Sequence, residues 1–546
     1  MVTRRDIADQ VVGACHDLGT THAFGMPGGG SNLDVAGACA HYGLDFVLVH
    51  AEGPAAVMAA VMGELTGAPG IAVATRGPGA ANALNGVAQA FVDRQPLVMI
   101  TDCVAANDAS RVSHQRVDQQ QVFAPFTLAS LALNGRDPNV AASAVALTRG
   151  GGHTPPGPVH VDLDPSATTV ADLPSATNSA PADLEPVLTL VRESRRAVIV
   201  VGAGAAVAQP QERDELVAAL GDLGERTNTP VLCTYKARGF VADQATYTAG
   251  VSTGATIEAP VLHDADLIIG IGLDPVEFIP APWPYAAPVV CISSWSVREG
   301  HARSTFIGTT MTEAIAPLAA SVRALAAVLD TDWAAGAGQE YRQAALARIR
   351  SAVIDAAPDG LTPQQVVDIA SAAAPRGSIA TVDAGAHMLV AMPLWEVDQP
   401  EQALISSGWA TMGFALPAAI AAGLARPNTP VVCFTGDGGL GMVLSELETL
   451  ARLALPVVVV VFNDATLSLI AAKQNSDGHG GERVVTFQRT DFAAIARASG
   501  LAGVTVNDVA TYDAAIRAAL MSRQPTLLDV RVDPRSYPLI LDAIRG

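Results

Sequence analysis

Short runs of consecutive apolar residues recur along the chain: FVLVH (46–50), IAVAT (71–75), LVMIT (97–101), AVIVVG (197–202), LIIGIG (267–272), VVCFTG (431–436) and VVVVVFN (457–463). Each is rich in β-branched residues, and alanine-rich stretches of helical character separate them. An alternating strand has one wet face, whereas an unbroken apolar strand is covered on both, as in a parallel sheet flanked by helices. The pattern therefore predicts an α/β protein of doubly wound parallel sheets. Two segments interrupt it. DPSATTVADLPSATNSAPADLEP (164–186) is rich in Pro, Ser, Ala and Thr, and IDAAPDGLTP (354–363) breaks helical periodicity before a new helix, so both read as linkers. Cutting there gives three domains, 1–165, 185–335 and 362–546. No short-period repeat is visible.

Composition supports that division, because 546 residues, half of them apolar, exceed what one core holds. The formal charge of −20 and the pI near 4.9, with basic residues scattered rather than clustered, argue against nucleic-acid or anionic-membrane surfaces. Six cysteines without a CxxC pair or a His/Cys cluster suggest reduced thiols rather than disulfides or zinc. The opening MVTRRDIADQ lacks the apolar core of a signal peptide, and no run of about 18 apolar residues occurs. A soluble, cytoplasmic protein is expected. Of 33 basic residues only Lys236 and Lys473 are lysines, so a lysine marks an exception to the chain's habit.

The first chemistry appears in CFTGDGGLG (433–441), where Asp437 stands among glycines at the end of an apolar run. Ligands of open parallel sheets sit beyond the carboxyl ends of strands. The next such run ends in Asn463-Asp464, 27 positions after Asp437 (464 − 437), so two carboxylates can converge at neighbouring strand ends. With a backbone carbonyl from the following loop they would suit Mg²⁺, which prefers hard oxygen ligands. The plainer alternative is two aspartates capping helices.

GDGGLGMVLSELETLARLALPVVVVVFND resembles the diphosphate-binding motif of thiamine diphosphate enzymes, which is Gly-Asp-Gly, a spacer of under about thirty residues and a terminal Asn pair. The resemblance implies Asp437 and Asp464 as metal ligands, Asp464 standing where Asn is more common, with the Thr466 carbonyl as a third. It also implies cofactor contacts at Gly436, Gly438, Gly439, Leu467 and Ser468. The stretch 50–101, with His-x-Glu followed by Gly-Pro-Gly-x-x-Asn, is similar to the pyrimidine-binding domain of the acetolactate synthase, pyruvate oxidase and 2-oxo acid decarboxylase group. Glu52 then matches the glutamate whose carboxyl, bonded to N1′ of the aminopyrimidine, favours the imino tautomer that takes the C2 proton of the thiazolium. Pro78, Asn82 and Gly29 join it as cofactor contacts, and Gly30 faces the substrate. SSGWATMGFALPAAIAA (406–422) resembles the segment in which a bulky residue, here Met412, wedges between the cofactor rings while the Ala410 carbonyl accepts the 4′-amino hydrogen. VDAGAH (382–387) resembles a loop on the diphosphate, implying Ala386 and His387. The family assembles its sites between subunits, so a homodimer or homotetramer is implied, with pyrimidine-binding, central and diphosphate-binding domains in chain order.

The central domain opens with AVIVVGAGAAV, a dinucleotide-like turn whose third glycine position holds Val207. GIGLDPVEFIPAPW lacks the arginines that follow this strand in flavin-bearing relatives, so neither nicotinamide nor FAD is expected. SHQRVDQQQVFAPFTL (113–128) resembles the loop over the thiazolium, with Gln115 at the acetolactate synthase glutamine and His114 where decarboxylases place one histidine of a pair. Thr75 stands where aryl-glyoxylate decarboxylases have a histidine, which disfavours simple decarboxylation. Leu128 replaces a common lysine, and Lys473 falls where synthases place the tryptophan of the acceptor pocket. The implied reaction is decarboxylation of a 2-oxo acid with ligation of the acyl anion to a second carbonyl compound; Lys473 suggests an acidic or phosphorylated acceptor, the plainer alternative being an ordinary solvated cation. A non-ligating decarboxylase or lyase, and a non-catalytic regulatory subunit, are the alternatives.

Overall fold

A computed structural model describes residues 2–151, 154–168, 173, 183–278, 283–296, 311–354, 360–477 and 484–546. The chain divides into two compact units, Met1–Ser179 with Ile420–Ala425, and Ala180–Ala419 with Arg426–Gly546. Among the described residues there are three parallel six-stranded sheets flanked by helices, as the apolar runs predict. Parts of both expected linkers, and part of GIGLDPVEFIPAPW, lie outside the described residues.

The first sheet comprises β1 (His22–Gly25), β2 (Asp45–Leu48), β3 (Gly70–Ala74), β4 (Leu97–Thr101), β5 (Ala129–Leu133) and β6 (Pro158–Leu163), ordered β2-β1-β3-β4-β6-β5. The second comprises β7 (Ala197–Val201), β8 (Val231–Thr234), β9 (Thr248–Ser252), β10 (Leu267–Ile271), β11 (Val289–Ser293) and β12 (Met311–Ile315), ordered β12-β11-β10-β7-β8-β9. The third comprises β13 (Ile379–Val382), β14 (Ala403–Ile405), β15 (Val431–Gly436), β16 (Val457–Asn463), β17 (Ala502–Val506) and β18 (Thr526–Arg531), ordered β14-β13-β15-β16-β18-β17. The first and third sheets share one strand order, and the second has the order of dinucleotide-binding folds.

Central strands carry the longest apolar runs because helices cover both their faces. β16 is buried at every position, and each of its valines contributes about 1.5–3 kcal/mol of transfer free energy. The edge strands β2 and β17 are partly exposed and of mixed character, which is why β17 left no apolar run to read. Within the second unit, the buried Arg238 hydrogen-bonds to Asp243 and to the carbonyls of Met392 and Trp395, tying the loop after β8 to the third sheet's helices. All six cysteines are buried and free. Among the described residues no helix is long and apolar enough to cross a membrane.

Candidate active site

Register explains why the two aspartates meet. β15 and β16 pair from Val431 beside Val457 to Gly436 beside Phe462, so Asp437 leaves one strand end next to the Asn463-Asp464 turn of the other. Asp437 Oδ1 accepts from the Gly438 amide at 2.7 Å and its Oδ2 from the Ala465 amide at 2.6 Å. Asp464 accepts from the Thr466 amide at 2.9 Å and from the Ser468 hydroxyl at 2.6 Å. Burial raises both carboxyls above their ordinary range, and for Asp464 the charge of Asp437 adds to it, reaching about 7. Among the described residues neither forms an ion pair with Lys or Arg. Two buried carboxylates pressed together with amide donors on one side have the charge and oxygen donors that a cation would take. No set of three or more His, Cys, Asp or Glu side chains suited to a metal occurs among the described residues, so such a cation needs carbonyl or ligand oxygens as well. Thr466 borders the pair, as that requires.

The aspartates line a cavity of about 350 Å³. Ala386, His387, Ala410 and Met412 form one part of its wall, Gly436, Gly438 and Gly439 another. Thr466, Leu467, Ser468 and the exposed Lys473 complete the residues expected there from sequence. Met412 is in a turn rather than on a helix, and its Sδ-methyl end lies 3.4 Å from where a Gly438 Cβ would be. Ala410 and Ala465 hold positive φ, 51° and 60°, without being glycine, a strain that accumulates where function dictates backbone direction. His387 is buried, stacked on Phe462 at 5.3 Å between ring centres, and its Nε2 has no hydrogen-bond partner. Burial holds its pKa down to about 3, so the ring is a neutral acceptor at this wall.

The glycines have a second cause that sequence did not supply. A Cβ on Gly439 would overlap the carboxylate of Asp383, and one on Gly436 would crowd the His387 ring at 3.3 Å. Asp383 follows β13, is fully buried, and accepts from Thr435 Oγ1 at 2.9 Å, Gly413 N at 3.1 Å and Phe414 N at 3.2 Å. It thereby fixes the turn that carries Met412. VDAGAH contains it, but a carboxylate bonded to backbone amides and one distant threonine hydroxyl leaves no motif beyond its position after a strand.

In the first unit, Glu52 begins the helix Glu52–Thr66 and is 4% exposed. Asn82 Nδ2 donates to its Oε2 at 2.9 Å, and Gly79 passes so close to its Oε1 that a Cβ there would sit 2.9 Å away. Pro78 is the first residue of the same helix as Asn82, entered through Gly77 at φ 70°. Gln115 packs against Gly77 with φ 55°, and Gln119 accepts from the Gly77 amide at 2.9 Å, fastening the 113–119 loop to the Gly-Pro-Gly turn. His114 is exposed on this loop. Gly29 faces open space, whereas a Cβ on Gly30 would collide with Asp102. Glu52, Pro78, Asn82 and Gln115 thus gather around one turn. Gln119, Tyr537 and Arg545, the last two lining the third sheet's cavity, were not singled out from sequence. Tyr537 and Arg545 lie on the amphipathic helix Tyr537–Arg545, whose pattern reads as ordinary core packing.

A cavity at the carboxyl edge of a parallel sheet, bearing paired aspartates and glycine turns, is of the type that takes a phosphate-bearing ligand. Family models agree on which kind. The N-terminal thiamine pyrophosphate binding domain matches residues 5–122, the central domain of thiamine pyrophosphate enzymes 184–309, and the C-terminal thiamine pyrophosphate binding domain 383–530. This chain belongs to the thiamine pyrophosphate enzymes. It is similar to the acetolactate synthase isozyme 3 large subunit of Escherichia coli, 28% identical across 99% of this chain and 96% of that protein. It is also similar to the acetolactate synthase of Bacillus subtilis, 26% identical across 96% and 93% respectively.

Proposed function

We propose that the protein is a thiamine diphosphate- and Mg²⁺-dependent carboligase, decarboxylating a 2-oxo acid and joining its acyl group to a second, anionic carbonyl compound. The observation that carries this reading is the pair of buried aspartates, Asp437 and Asp464, with no Lys or Arg in ion-pair contact among the described residues, at the edge of a cavity lined by Met412 and Ala410. Thiamine diphosphate, when bound, supplies the stabilised acyl carbanion that ordinary side chains cannot. Asp437, Asp464 and the Thr466 carbonyl would hold the metal, and the metal would hold the diphosphate. Gly436, Gly438, Gly439, Leu467, Ser468, Ala386 and His387 line the rest of the cofactor's path. Met412 would pack between the cofactor's rings, and the Ala410 carbonyl would accept from its amino group. Glu52, kept in place by Asn82, exchanges a hydrogen with the pyrimidine ring. Gln115 and His114 approach the reacting carbon from their loop. Gly29, Pro78 and Gly30 complete the first domain's contribution, which a homodimer or homotetramer brings to the third domain of a neighbouring subunit. The same reading carries domain boundaries near 165/185 and 335/362, a cytoplasmic location and no FAD.

Ligation over simple decarboxylation is supported by similarity to acetolactate synthases along nearly the whole chain, and by Lys473 on the cavity wall of a protein that otherwise uses arginine. The test is the product mixture from ¹³C-labelled pyruvate with thiamine diphosphate and Mg²⁺, read by NMR with Glu52→Gln as control. Labelled acetolactate is expected, and labelled acetaldehyde alone would make the protein a decarboxylase. Lys473→Met should raise the apparent KM for an anionic acceptor about tenfold, and an unchanged value removes that lysine from acceptor recognition.

A further inference from the structure

A second cavity of about 230 Å³ adjoins the first and shares Met388, Ala410 and Arg545 with it. It opens at the carboxyl ends of β8, β9 and β10, where Tyr235, Ser252, Thr253 and Val276 lie, and its apolar wall includes Leu389 and Ile405. Arg545 therefore stands at the boundary between the two spaces. Its position does not come from a charge partner: no ion pair to it occurs among the described residues, and its Nε is shut from solvent with no hydrogen-bond partner. The helix end is held instead through the Ile544 carbonyl, which accepts from Thr256 N and Ile257 N at 3.1 Å each and from Thr256 Oγ1. Tyr235 Oη, on the same second cavity, is likewise buried without a partner.

A guanidinium is always charged and has five donors and no acceptor, so a backbone that fixes it at a cavity boundary without a counter-ion leaves a place for an anion. The only carboxylate lining the second cavity among the described residues, Glu277, is committed to the Ala203 amide at 2.7 Å and the Thr234 hydroxyl at 2.6 Å. The volume equals on the order of eight waters, enough for a short hydrocarbon chain. Resting on the carboligase reading above, we propose that Arg545 binds the carboxylate of the acceptor while the acceptor's side chain enters the second cavity. The acceptor is then a 2-oxo acid with an apolar chain of several carbons, and the length of that chain is selected by the space beside Val276 and Leu389.

The test uses full-length protein loaded with thiamine diphosphate and Mg²⁺, titrated calorimetrically with pentanoate, pentanamide and propionate, which do not react. Pentanoate should bind at least tenfold more tightly than pentanamide or propionate. Arg545→Gln should abolish the preference over the amide with thiamine diphosphate affinity kept, and Val276→Trp should abolish the preference over propionate. The proposal is overturned by equal binding of pentanoate and pentanamide to the wild type, by an unaltered preference in Arg545→Gln, or by loss of cofactor affinity in that variant, which would assign the guanidinium to the cofactor. Failure of the labelled-pyruvate experiment would instead strike the carboligase reading, since these titrations need no turnover.

Discussion

The first and third sheets share one strand order, yet they answer the same geometric situation in opposite ways. In each, the third strand runs into a glycine turn and the fourth ends at an aspartate, Asp102 after β4 and Asp464 after β16. Asp102 is met by cations of its own domain, with Arg4 at 3.6 Å and Arg76 at 3.4 Å, and by the Ser31 hydroxyl at 2.8 Å. Arg76 comes from the glycine turn itself, Thr75-Arg76-Gly77-Pro78-Gly79. In the third domain the corresponding turn supplies a second anion, Asp437, in place of an ion-pairing arginine, and burial together with that neighbouring charge drives Asp464 up to about 7, against only a weaker pull from Arg489. One domain has closed its strand-end charge, and in the proposed reading its contribution is proton exchange at Glu52. The other has left the charge open for a cation. Identical topology thus carries two different tasks, and the residue in the glycine turn decides which.

The largest effect that could break this division is at Glu52. Glu52→Gln should lower kcat by about 10²–10⁴ while thiamine diphosphate and Mg²⁺ still bind, because the loss is of a proton exchange and not of an anchor. Loss of cofactor retention in steady dialysis would mean that the first domain anchors as well. Next comes the third domain's pair. Asp437→Ala should weaken Mg²⁺-dependent cofactor binding by about 100-fold, whereas Asp464→Asn, which keeps an oxygen, should bind within about threefold of wild type. In cofactor-free protein at pH 8, Asp464→Asn removes one of two crowded buried charges and should raise the melting temperature by about 2–4 °C. A lower melting temperature there would show that the pair is already satisfied inside the chain. Asp102→Asn should behave in the contrary way, costing about 2–3 kcal/mol with and without Mg²⁺ alike, since its partners are Arg4 and Arg76. Thermal denaturation in the two conditions distinguishes the cases.

How much of this was legible in the sequence follows from what each feature rests on. Strands buried on both faces announce themselves as unbroken apolar runs, so LVMIT and VVVVVFN coincide with β4 and β16 residue for residue. Short edge strands do not, because TAGVS and AGVTV satisfy a sheet edge without being apolar throughout. The aspartate pair was legible because 27 residues is one helix and one strand, a spacing that returns the chain to the neighbouring strand end. Asp383, Gln119 and Asp102 were not, because their partners, backbone groups, hydroxyls and for Asp102 the guanidinium groups of Arg4 and Arg76, are distant in sequence, and the fold alone brings those together. Arg545 was hidden for another reason. Its helix carries the apolar stripe of any packed helix, and only the two cavities meeting at its end distinguish that position.

The smallest effect concerns what the first domain does with the charges it does not expose. On β6 the register sets Asp162 beside Thr101 and His160 beside Ser130. Thr101 Oγ1 donates to Asp162 Oδ1 at 2.6 Å and lies 2.7 Å from His160 Nε2, while Gln119 donates to the same carboxyl at 2.8 Å. Burial opposes charge on both groups, raising Asp162 to about 7 and lowering His160 to about 3. In an unfolded chain, with ordinary values near 3.9 and 6.5, the proton between about pH 4 and 6.5 resides on the histidine. In the folded protein it resides on the aspartate. One proton is bound in either state, so the wild-type pair adds no slope to stability across that window. Removing one member should expose the other. His160→Gln leaves a carboxyl that holds its proton only when folded, so stability should fall as pH rises from 4 to 7. Asp162→Asn leaves an imidazole that takes a proton only when unfolded, so stability should rise as pH rises from 3 to 6.5. A divergence of at least about 1 kcal/mol per pH unit between the variants from pH 5 to 6.5, below the limit of about 2.7 kcal/mol per pH unit set by two one-proton slopes of opposite sign, is expected from chemical denaturation. Parallel pH profiles would mean that the pair is ionised in the fold, and that the first domain, like the third, keeps a buried charge in reserve.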